Sequence, residues 1–476
     1  MRTLDQVLAT YKLPFELEAM QKEDITRLAD EQRALGDLPI GYGKTVIATC
    51  VALMLEPKVT VVLMPPILLV QWVKWINSIP GAGPVVCYTG SPAERKALPI
   101  KSARWIVTSY GIFRNDLERL TKELVDPMTI VDECQVLKSY KSKIFKAVRD
   151  FSNGEPLLLM SGTIMSKPGD GYAYVKLNSP EVYTSFTQFE NIHVAKRDFF
   201  EQPIEWRFLD LLQSNLDLKR VKRTKEEVHS MLPKVNYVPI KYELSKKHMQ
   251  LYRKLMDEQL LEVGDGKIDA TTAGKLYSAS QQIISNPDYY SDGEIERPDL
   301  YDIVDAALDE IGIGQPVMPG EPARSKLIIW SMFRRTSRGL LAYINSLAPV
   351  DKKGKQKWRA VGAYGEVDSK EGIRAFMEDD DALILVAQPG SAGAGLNPQH
   401  LCWEMLFAEY PTTTIPFWQC CGRVDRKGQL YNPTIRIATA LGTIQENLLA
   451  DLFSNDKLVQ RASGTKNSIK EMLFPN

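Results

Sequence analysis

The segment TIVDECQVLKS carries two adjacent carboxylates, Asp132 and Glu133, directly after the apolar residues Ile130 and Val131. This pattern predicts a strand that delivers both acids to the edge of a sheet. In enzymes that hydrolyse nucleotides, one such acid organises Mg²⁺ and a second group orients the attacking water. An acidic turn without catalytic function has the same local pattern, so the segment alone leaves both interpretations open.

The segment PIGYGKT has the composition of a phosphate-binding loop ahead of a helix. Gly41 and Gly43 allow backbone N–H groups to curl around a phosphate. Lys44 can reach the terminal phosphates, and the Thr45 hydroxyl can ligate Mg²⁺. Leu38 stands where the full pattern G-x-x-x-x-G-K-[ST] has its first glycine, and a glycine-rich helix cap is the alternative. Because the acidic pair follows downstream, the two segments together favour a site for ATP and Mg²⁺.

The segment WQCCGRVDRKGQ places two arginines near a glutamine. Arg423 and Arg426 are three positions apart and share a face if the segment is helical. Two guanidinium groups beside Gln419 suit the negative charge of a phosphoryl group in transfer. A solvated basic helix end that stops at Gly428 is an equally good interpretation of this segment alone.

These side chains require strands to position them, and the chain offers two series of short apolar runs separated by amphipathic segments. Strands that alternate with helices predict an α/β fold with parallel sheets, in which ligands lie at the carboxyl ends of the strands. Residues 169 to about 320 are richer in charge and loops, and residues 245–263 are predicted to form one amphipathic helix. The predicted strands are 59–65, 103–109, 128–133 and 156–162, then 326–333, 358–365, 382–389, 401–409 and 434–441.

The composition narrows the class of protein. The 476 residues indicate two or three domains, and equal numbers of basic and acidic residues, 59 each, give no overall attraction to nucleic acid. Six cysteines without a C-x-x-C pair and four histidines leave little for a zinc site. The N-terminus lacks a secretory signal, and the most apolar run is broken by Pro65 and Pro66. We therefore expect a soluble cytoplasmic protein that does not enter a membrane.

In their order along the chain, these segments resemble the superfamily-two helicases and translocases, specifically the Swi/Snf-type DNA-dependent ATPases in a compact phage or bacterial form. The likeness covers nearly the whole chain. It is carried by AMQ, GYGKT, VVLMPPILLVQWVKWI, VTSYGIF, VDECQVLKS, LLLMSGTIMSK, LKRVKRTKEEVHSMLP, GSAGAGLN, QCCGRVDRKGQ and GTIQENLL.

The resemblance implies a fold of two RecA-like lobes with helical insertions, with ATP between the lobes and DNA across them. It implies a first lobe over 1–168, its insertion over 169–237, a second insertion and linker over 238–322, and a second lobe over 323–476.

The resemblance also implies roles for individual residues. Glu133 is the expected base, and Thr45 and Asp132 are the expected Mg²⁺ ligands. Arg423 and Arg426 are the expected arginine fingers, with Gln419 nearby. The ATP-binding residues implied are Gln21, Gly41, Gly43, Lys44, Thr45 and Gly395. The residues implied to contact DNA or couple it to hydrolysis are Thr108, Ser109, Gln135, Ser161, Thr163, Arg223, Lys225 and Asn397.

Four residues depart from the family pattern. Cys134 and Gln135 replace Ala-His after the acidic pair, and Ile164 replaces a proline. Asp425 replaces a histidine and puts an acid between the two arginines. None of them replaces a residue of the expected chemistry, so hydrolysis is expected to survive. The coupling of hydrolysis to DNA is expected to be more sensitive to these changes. A glutamine at 135 can still donate and accept hydrogen bonds.

The sequence therefore predicts an ATP-driven DNA translocase or helicase that acts on duplex, forked or branched DNA. Alternatives are a non-hydrolysing nucleic-acid clamp, an RNA helicase and a restriction-type translocating subunit. Phage or host replication and recombination proteins are the expected partners, in the host cytoplasm if the chain is phage-encoded. Of two basic stretches, 218–225 is expected to have a structural or DNA-facing role, and 351–359 is expected to be a solvated loop.

Overall fold

The structure is a computed structural model that describes residues 1–199, 201–228, 233–258, 260–263, 266–269, 273–291, 293–315, 324–352, 354–392 and 396–463. The chain divides into two compact units. Unit 1 is Met1–Ser230 with Asp456–Lys466, and unit 2 is Met231–Asn455 with Asn467–Asn476.

Unit 1 is built on a seven-stranded parallel sheet of order β3-β4-β2-β5-β6-β1-β9, and β7 and β8 form a separate antiparallel hairpin. Apolar side chains cover both faces of the large sheet, as expected for a parallel sheet. The strands are β1 Arg33–Asp37, β2 Val59–Met64, β3 Val85–Tyr88, β4 Trp105–Ser109, β5 Pro127–Asp132, β6 Leu157–Ser161, β7 Val194–Arg197, β8 Pro203–Trp206 and β9 Arg220–Lys222.

Helices connect these strands and pack on the sheet, and short 3-10 turns lie at Pro66–Leu68, Ile100–Ser102, Cys134–Leu137 and Pro168–Asp170. The helices are α1 Leu4–Thr10, α2 Ala19–Glu31, α3 Lys44–Leu55, α4 Leu69–Asn77, α5 Pro92–Ala97, α6 Tyr110–Asn115, α7 Leu117–Glu123, α8 Lys143–Phe151, α9 Gly171–Asn178, α10 Phe186–His193, α11 Leu209–Asp217 and α12 Lys225–Val228.

Unit 2 is built on a six-stranded parallel sheet of order β10-β17-β16-β13-β15-β14, and β11 pairs with β12 as a hairpin. Its strands are β10 Asn236–Tyr242, β11 Leu260–Val263, β12 Gly266–Asp269, β13 Lys326–Trp330, β14 Arg359–Ala363, β15 Ala382–Ala387, β16 Cys402–Phe407 and β17 Thr434–Ala440. Its helices are α13 Lys246–Glu258, α14 Ala273–Ser285, α15 Pro287–Tyr290, α16 Leu300–Ile311, α17 Arg334–Leu347, α18 Ser369–Glu378, α19 Pro389–Ala392 and α20 Thr414–Cys421, and α21 spans Ile444–Ser463.

The predicted α/β class with two parallel-sheet lobes is confirmed, and each predicted strand is present within a few residues of its expected bounds. The single helix predicted over 245–263 is wrong at its end. Helix α13 stops at Glu258, and Leu260–Val263 form strand β11, which pairs with β12.

Parallel order brings the predicted residues of unit 1 to one edge of its sheet. Strand β1 leads into the GYGKT loop, and β4, β5 and β6 end at Ser109, Asp132 and Ser161. Since the carboxyl ends of parallel strands share an edge, these residues form one cluster.

Candidate nucleotide and nucleic-acid site

The GYGKT loop has the backbone that its glycines predict. Gly41 and Gly43 have φ of 85° and 88°, which a residue with a side chain adopts only with strain. Gly43 is the N-cap of α3, so the first N–H groups of that helix face the loop. Lys44 begins the helix, Thr45 follows it, and the Lys44 Nζ donates to the carbonyls of Leu38 and Pro39 at 3.3 Å.

Leu38 explains why this loop tolerates a missing glycine. It is not among the residues with positive φ, and its side chain is buried in the core. Its N–H donates to the Ser161 carbonyl at 2.9 Å. A glycine is needed instead at Gly162, where a Cβ would lie 2.8 Å from the Leu38 oxygen and 3.5 Å from Lys44 Nζ. Sequence reasoning gave Gly162 no role, although it is the last residue of the strand predicted over 156–162.

Gln21 holds the loop from the side of α2. Its Nε2 donates to the Tyr42 carbonyl at 2.9 Å, and its Oε1 accepts from the N–H of Glu18 at 2.9 Å. A Cβ on Gly43 would lie 3.0 Å from the same Nε2. Gln21 is therefore packed against the phosphate loop.

Asp132 is a buried carboxylate with two protein donors. Its Oδ2 accepts from Trp72 Nε1 at 2.8 Å, and its Oδ1 accepts from the N–H of Glu133 at 3.0 Å. Burial and the neighbouring Glu133 charge raise the pKa of Asp132 to about 6, against the opposing effects of the Trp72 bond and the Lys44 charge. Trp72 was part of a recognised segment without a predicted role, and its place beside Asp132 depends on tertiary structure.

Glu133 has a left-handed backbone, with φ 54° and ψ 51°. For a residue other than glycine this conformation costs about 1–3 kcal/mol, and such residues cluster at active sites and ligand-binding segments. The Tyr110 hydroxyl donates to the carbonyls of Asp132 and Glu133, the latter at 3.3 Å, and so supports the turn.

A chain of hydrogen bonds links Glu133 to the end of β6. Gln135 Nε2 donates to Glu133 Oε2 at 2.8 Å, and Ser161 Oγ donates to Gln135 Oε1 at 2.7 Å. Ser161 Oγ also accepts from the N–H of Thr163 at 3.0 Å. We call Glu133, Gln135, Ser161 and Thr163 the relay. Gln135, a departure from the family pattern, is its central member.

The other two departures in unit 1 are packing residues. Cys134 is fully buried, and burial raises the pKa of its thiol well above the ordinary value. Ile164 is also buried, and its carbonyl accepts from the Tyr174 hydroxyl at 2.5 Å. Both belong to the same apolar core, so they replace volume rather than chemistry.

The residues predicted to face DNA from unit 1 differ in their surroundings. Thr108 is fully buried, and its hydroxyl donates to the Tyr88 carbonyl at 2.8 Å. Ser109 is buried at the N-cap of α6. Arg223 binds Asp24 at 2.7 Å, and Lys225 begins α12 half-buried. The arginines of the basic stretch 218–225 are therefore engaged by acids of unit 1, because Arg220 also binds Asp37 at 3.3 Å.

The predicted residues of unit 2 meet around one backbone carbonyl. Arg423 Nη1 donates to the Leu396 carbonyl at 3.1 Å, and Arg426 Nη1 lies 3.5 Å from the same oxygen. Arg423 Nε donates to the carbonyl of Gln419 on α20 at 3.0 Å, and Arg426 also donates to Asn397 Oδ1. Burial and the charge of Arg423 lower the pKa of Arg426 to about 10.

The expected shared helix face for these arginines is wrong. Helix α20 ends at Cys421, and Arg423 and Arg426 lie in the turns that follow. The turns after Gly422 bring both guanidinium groups to the Leu396 carbonyl, and the left-handed Gly428 follows them. The alternative of a solvated helix end is also unsupported for Arg423, which is 6% exposed. Asp425, which lies between Arg423 and Arg426 in the sequence, donates its N–H to the Cys421 carbonyl at 3.1 Å.

Gly395 lies outside the described residues. In the basic stretch 351–359, the described lysines Lys352, Lys355 and Lys357 are exposed, as expected for a solvated loop, whereas Trp358 is buried and Arg359 begins β14. Lys355 pairs with Asp381 at 3.0 Å, and Arg359 pairs with Asp379.

The oxygen ligands present fit a Mg²⁺ ion whose remaining ligands are the phosphate oxygens of a nucleotide and water. Thr45 and Asp132 offer a hydroxyl and a carboxylate, and Mg²⁺ is usually held by one or two carboxylates together with phosphates and water. Lys44 and Asp132 are close enough for their charges to interact. Over the part of the chain that the structure describes, no group of three or more His, Cys, Asp or Glu residues could hold a metal by itself. Such a site would need the phosphate oxygens.

Within the same described ranges, no helix combines the length and apolar character needed to cross a bilayer.

Comparison with protein families matches residues 19–288 to the SNF2-related domain. This segment covers more than half of the chain and contains the phosphate loop, the acidic pair and the relay.

Three relatives illustrate the similarity. The TATA-binding protein-associated factor MOT1 of Saccharomyces cerevisiae is 22% identical over 437 residues, which cover 82% of this chain and 23% of the relative. The human SWI/SNF-related matrix-associated actin-dependent regulator of chromatin subfamily A member 1 is 22% identical, with coverage of 75% and 35%. The ATP-dependent DNA helicase DDM1 of Arabidopsis thaliana is 22% identical, with coverage of 74% and 47%. The chain spans less than half the length of each.

A solved structure, the Sulfolobus solfataricus SWI2/SNF2 ATPase core in complex with dsDNA, is 20% identical with a TM-score of 0.43, and the match covers 95% of both chains.

Proposed function

The chain belongs to the family of SNF2-related domains, and we propose that it is an ATP-driven DNA translocase or helicase that couples hydrolysis to movement along duplex, forked or branched DNA. The relay carries this proposal. It joins the expected base Glu133 to Ser161, whose carbonyl binds the Leu38 N–H at the start of the phosphate loop. A nucleotide-dependent change at the loop would thus be felt at Gln135 and Thr163.

In the proposed mechanism, unit 1 holds the nucleotide. The α3 N-terminus and Lys44 bind the phosphates, and Thr45 and Asp132 complete the coordination of Mg²⁺, which neutralises phosphate charge when bound. Lys44 would exchange its two carbonyl partners for phosphate oxygens, and a charged acceptor makes the stronger bond.

Glu133 is proposed to orient and deprotonate the attacking water. Gln135 holds its Oε2, so the carboxylate has a fixed direction before a nucleotide binds. Such preorganisation is worth more in a buried site than in water.

Arg423 and Arg426 are proposed to stabilise charge on the transferring phosphoryl group. Their acceptors include the neutral oxygens of Leu396, Gln419 and Asn397. A phosphate oxygen competes well with such acceptors because charge-assisted bonds are roughly twice as strong.

DNA is preferred over RNA as the partner for two reasons. One relative is named an ATP-dependent DNA helicase, and the segment LKRVKRTKEEVHSMLP is similar to one that separates this branch from DEAD-box RNA helicases. Phage or host protein partners stay a prediction.

The deciding experiment is steady-state ATP turnover by the full chain alone and with duplex, forked and single-stranded DNA or RNA. DNA should stimulate turnover, and Lys44→Ala should abolish the stimulated rate. Displacement of a triplex-forming strand from duplex DNA then tests movement. Wild-type protein that binds DNA without stimulated turnover would support the clamp alternative, and stimulation by RNA alone would replace DNA as the partner.

A further inference from the structure

Tyr42 lies between the two glycines of the phosphate loop, and its side chain points into unit 1. It is 2% exposed, and its hydroxyl donates to Asp24 Oδ2 at 2.8 Å. Its carbonyl accepts from Gln21, so α2 holds both the backbone and the side chain of this loop residue. No nucleotide chemistry requires a tyrosine here.

Asp24 is fully buried and is neutralised by one arginine. Arg223 Nε donates to both Asp24 oxygens at 2.9 and 3.1 Å, and its Nη2 donates to Oδ1 at 2.7 Å. The Nη2 also donates to Glu23 at 2.6 Å. A buried carboxylate needs such a partner, since an unpaired one is strongly destabilising. The position of Asp24, and with it that of Tyr42, thus depends on Arg223.

Arg223 lies on the last described stretch of unit 1 before the chain continues into unit 2. It follows β9 and precedes α12, which ends at Val228. Its N–H donates to the carbonyl of Asp37 at 3.1 Å, and Asp37 is the last residue of β1 before the phosphate loop. Arg223 therefore contacts both the start of the loop, through its backbone, and the middle, through Asp24.

We propose that Asp24, Tyr42 and Arg223 are positioning residues that make the conformation of the phosphate loop, and hence nucleotide affinity, depend on the segment leaving unit 1. This rests on the proposed nucleotide site. Displacement of residues 223–228 pulls on Asp24 and loosens Tyr42, and an ordered loop conversely holds that segment. We call Asp24, Tyr42 and Arg223 the anchor. Through it, the segment that connects unit 1 to unit 2 would regulate nucleotide binding.

Unit 1 contains a matched control with the same chemistry. Tyr88 donates to Asp116 Oδ2 at 2.7 Å, and Arg95 binds both Asp116 oxygens at 2.6 and 2.9 Å. Tyr88 is also fully buried, but it lies at the end of β3, where its hydrogen-bond partners are Asp116, Thr108 and Arg119 rather than residues of the phosphate loop. Tyr88→Phe therefore removes an equivalent hydroxyl without touching the loop.

The test compares Tyr42→Phe, Arg223→Gln and Tyr88→Phe in the full chain by calorimetric Mg-ADP binding and by hydrogen exchange of residues 40–45 without nucleotide. Loss of one buried hydrogen bond, about 1 kcal/mol, should weaken ADP binding about fivefold in Tyr42→Phe and speed exchange of the loop by a similar factor. Arg223→Gln should have at least this effect, and the double variant should be less than additive. Tyr88→Phe should lower the melting temperature similarly and leave both loop readouts within about twofold.

Loop exchange and ADP affinity in Tyr42→Phe that match those of Tyr88→Phe would overturn the proposal and leave a purely structural pair. Additive effects of Tyr42→Phe and Arg223→Gln would overturn the link between the two residues. Wild-type protein that fails to bind Mg-ADP would instead reject the nucleotide site itself, and the exchange data would still decide whether the anchor orders the loop.

Discussion

The predicted catalytic residues of unit 1 and those of unit 2 are organised differently. In unit 1 the important side chains hold one another: Gln135 binds Glu133, Ser161 binds Gln135, and Trp72 binds Asp132. In unit 2, Arg423 and Arg426 gather on the Leu396 carbonyl, and one lowers the pKa of the other.

The difference is that unit 1 holds its side chains in fixed positions, whereas the two arginines of unit 2 repel each other. In unit 1, hydrogen bonds already order the predicted catalytic side chains, so less conformational entropy would be lost when a ligand binds. Two like charges near one carbonyl leave unit 2 with electrostatic repulsion that an anion would relieve. We therefore expect changes in unit 2 to act mainly on the chemical step, and changes in unit 1 to act on the chemical step or on coupling, depending on the residue.

The comparison is tested most severely by Arg423→Gln. We expect stimulated kcat to fall about 10³-fold, the order of magnitude assigned to arginine fingers, with ADP affinity changed less than about threefold. Turnover and calorimetric binding measure the two effects. Lys427→Gln removes an exposed neighbouring charge as control and should change kcat less than about twofold. Equal losses in both variants would show that net charge matters rather than the placed guanidinium.

Glu133→Gln should lower kcat about 10²- to 10³-fold, because a glutamine cannot accept the water proton. Asp126→Asn is its control, since Asp126 directly precedes the same strand, β5, and also has positive φ, 46°. Single-turnover hydrolysis with a saturating amount of the enzyme measures the chemical step. Near wild-type turnover by Glu133→Gln would show that Glu133 is not the base, and would contradict the assignment of fixed catalytic groups to unit 1.

Gln135→Ala sharpens the comparison by cutting the relay without touching a predicted ligand of the nucleotide. The ratio of DNA-stimulated to unstimulated turnover should fall about five- to tenfold, in the range of ordinary coupling energies. Gln188→Ala removes another glutamine that accepts two bonds from Thr184 and should leave the ratio unchanged. An unchanged ratio in Gln135→Ala would mean that coupling bypasses the relay.

Lys355→Ala should have the smallest effect. Lys355 and its partner Asp381 are both exposed, and such pairs contribute less than about 1 kcal/mol. DNA affinity measured by fluorescence anisotropy should change less than about twofold. A larger loss of affinity would show that the DNA-binding surface of unit 2 includes Lys355.

Most of the fold could be predicted because strands buried on both faces are continuous apolar runs, as in β2 and β15. Strand β1 was missed because RALGD contains Gly36, which lowers its strand signal. A Cβ at Gly36 would lie 2.6 Å from Met160 Sδ, so the Met160 side chain would have to shift. That contact joins distant segments and leaves no local pattern.

The site was predictable as a set of segments and less so as geometry. Spacing placed Lys44 and Asp132 at the same sheet edge, because parallel strands end together. Spacing also suggested a helix for Arg423 and Arg426, and the turn at Gly422 overrides it. The pairing of Asp24 with Arg223 was invisible, since two charged residues so distant in sequence carry no mark of their partnership.

The sheet of unit 2 has a consequence for how the protein is made. Its first strand, β10, pairs with its last, β17, from Asn236 with Thr434 to Tyr242 with Ala440. At roughly 5–20 residues per second, a ribosome needs about ten to forty seconds to supply the partner of β10. During that time β10 presents an unsatisfied edge to other nascent chains. Unit 2 is therefore the half of this protein that we expect to depend on chaperones during synthesis, whereas six of the seven strands in the unit 1 sheet have already emerged when Ser161 leaves the tunnel.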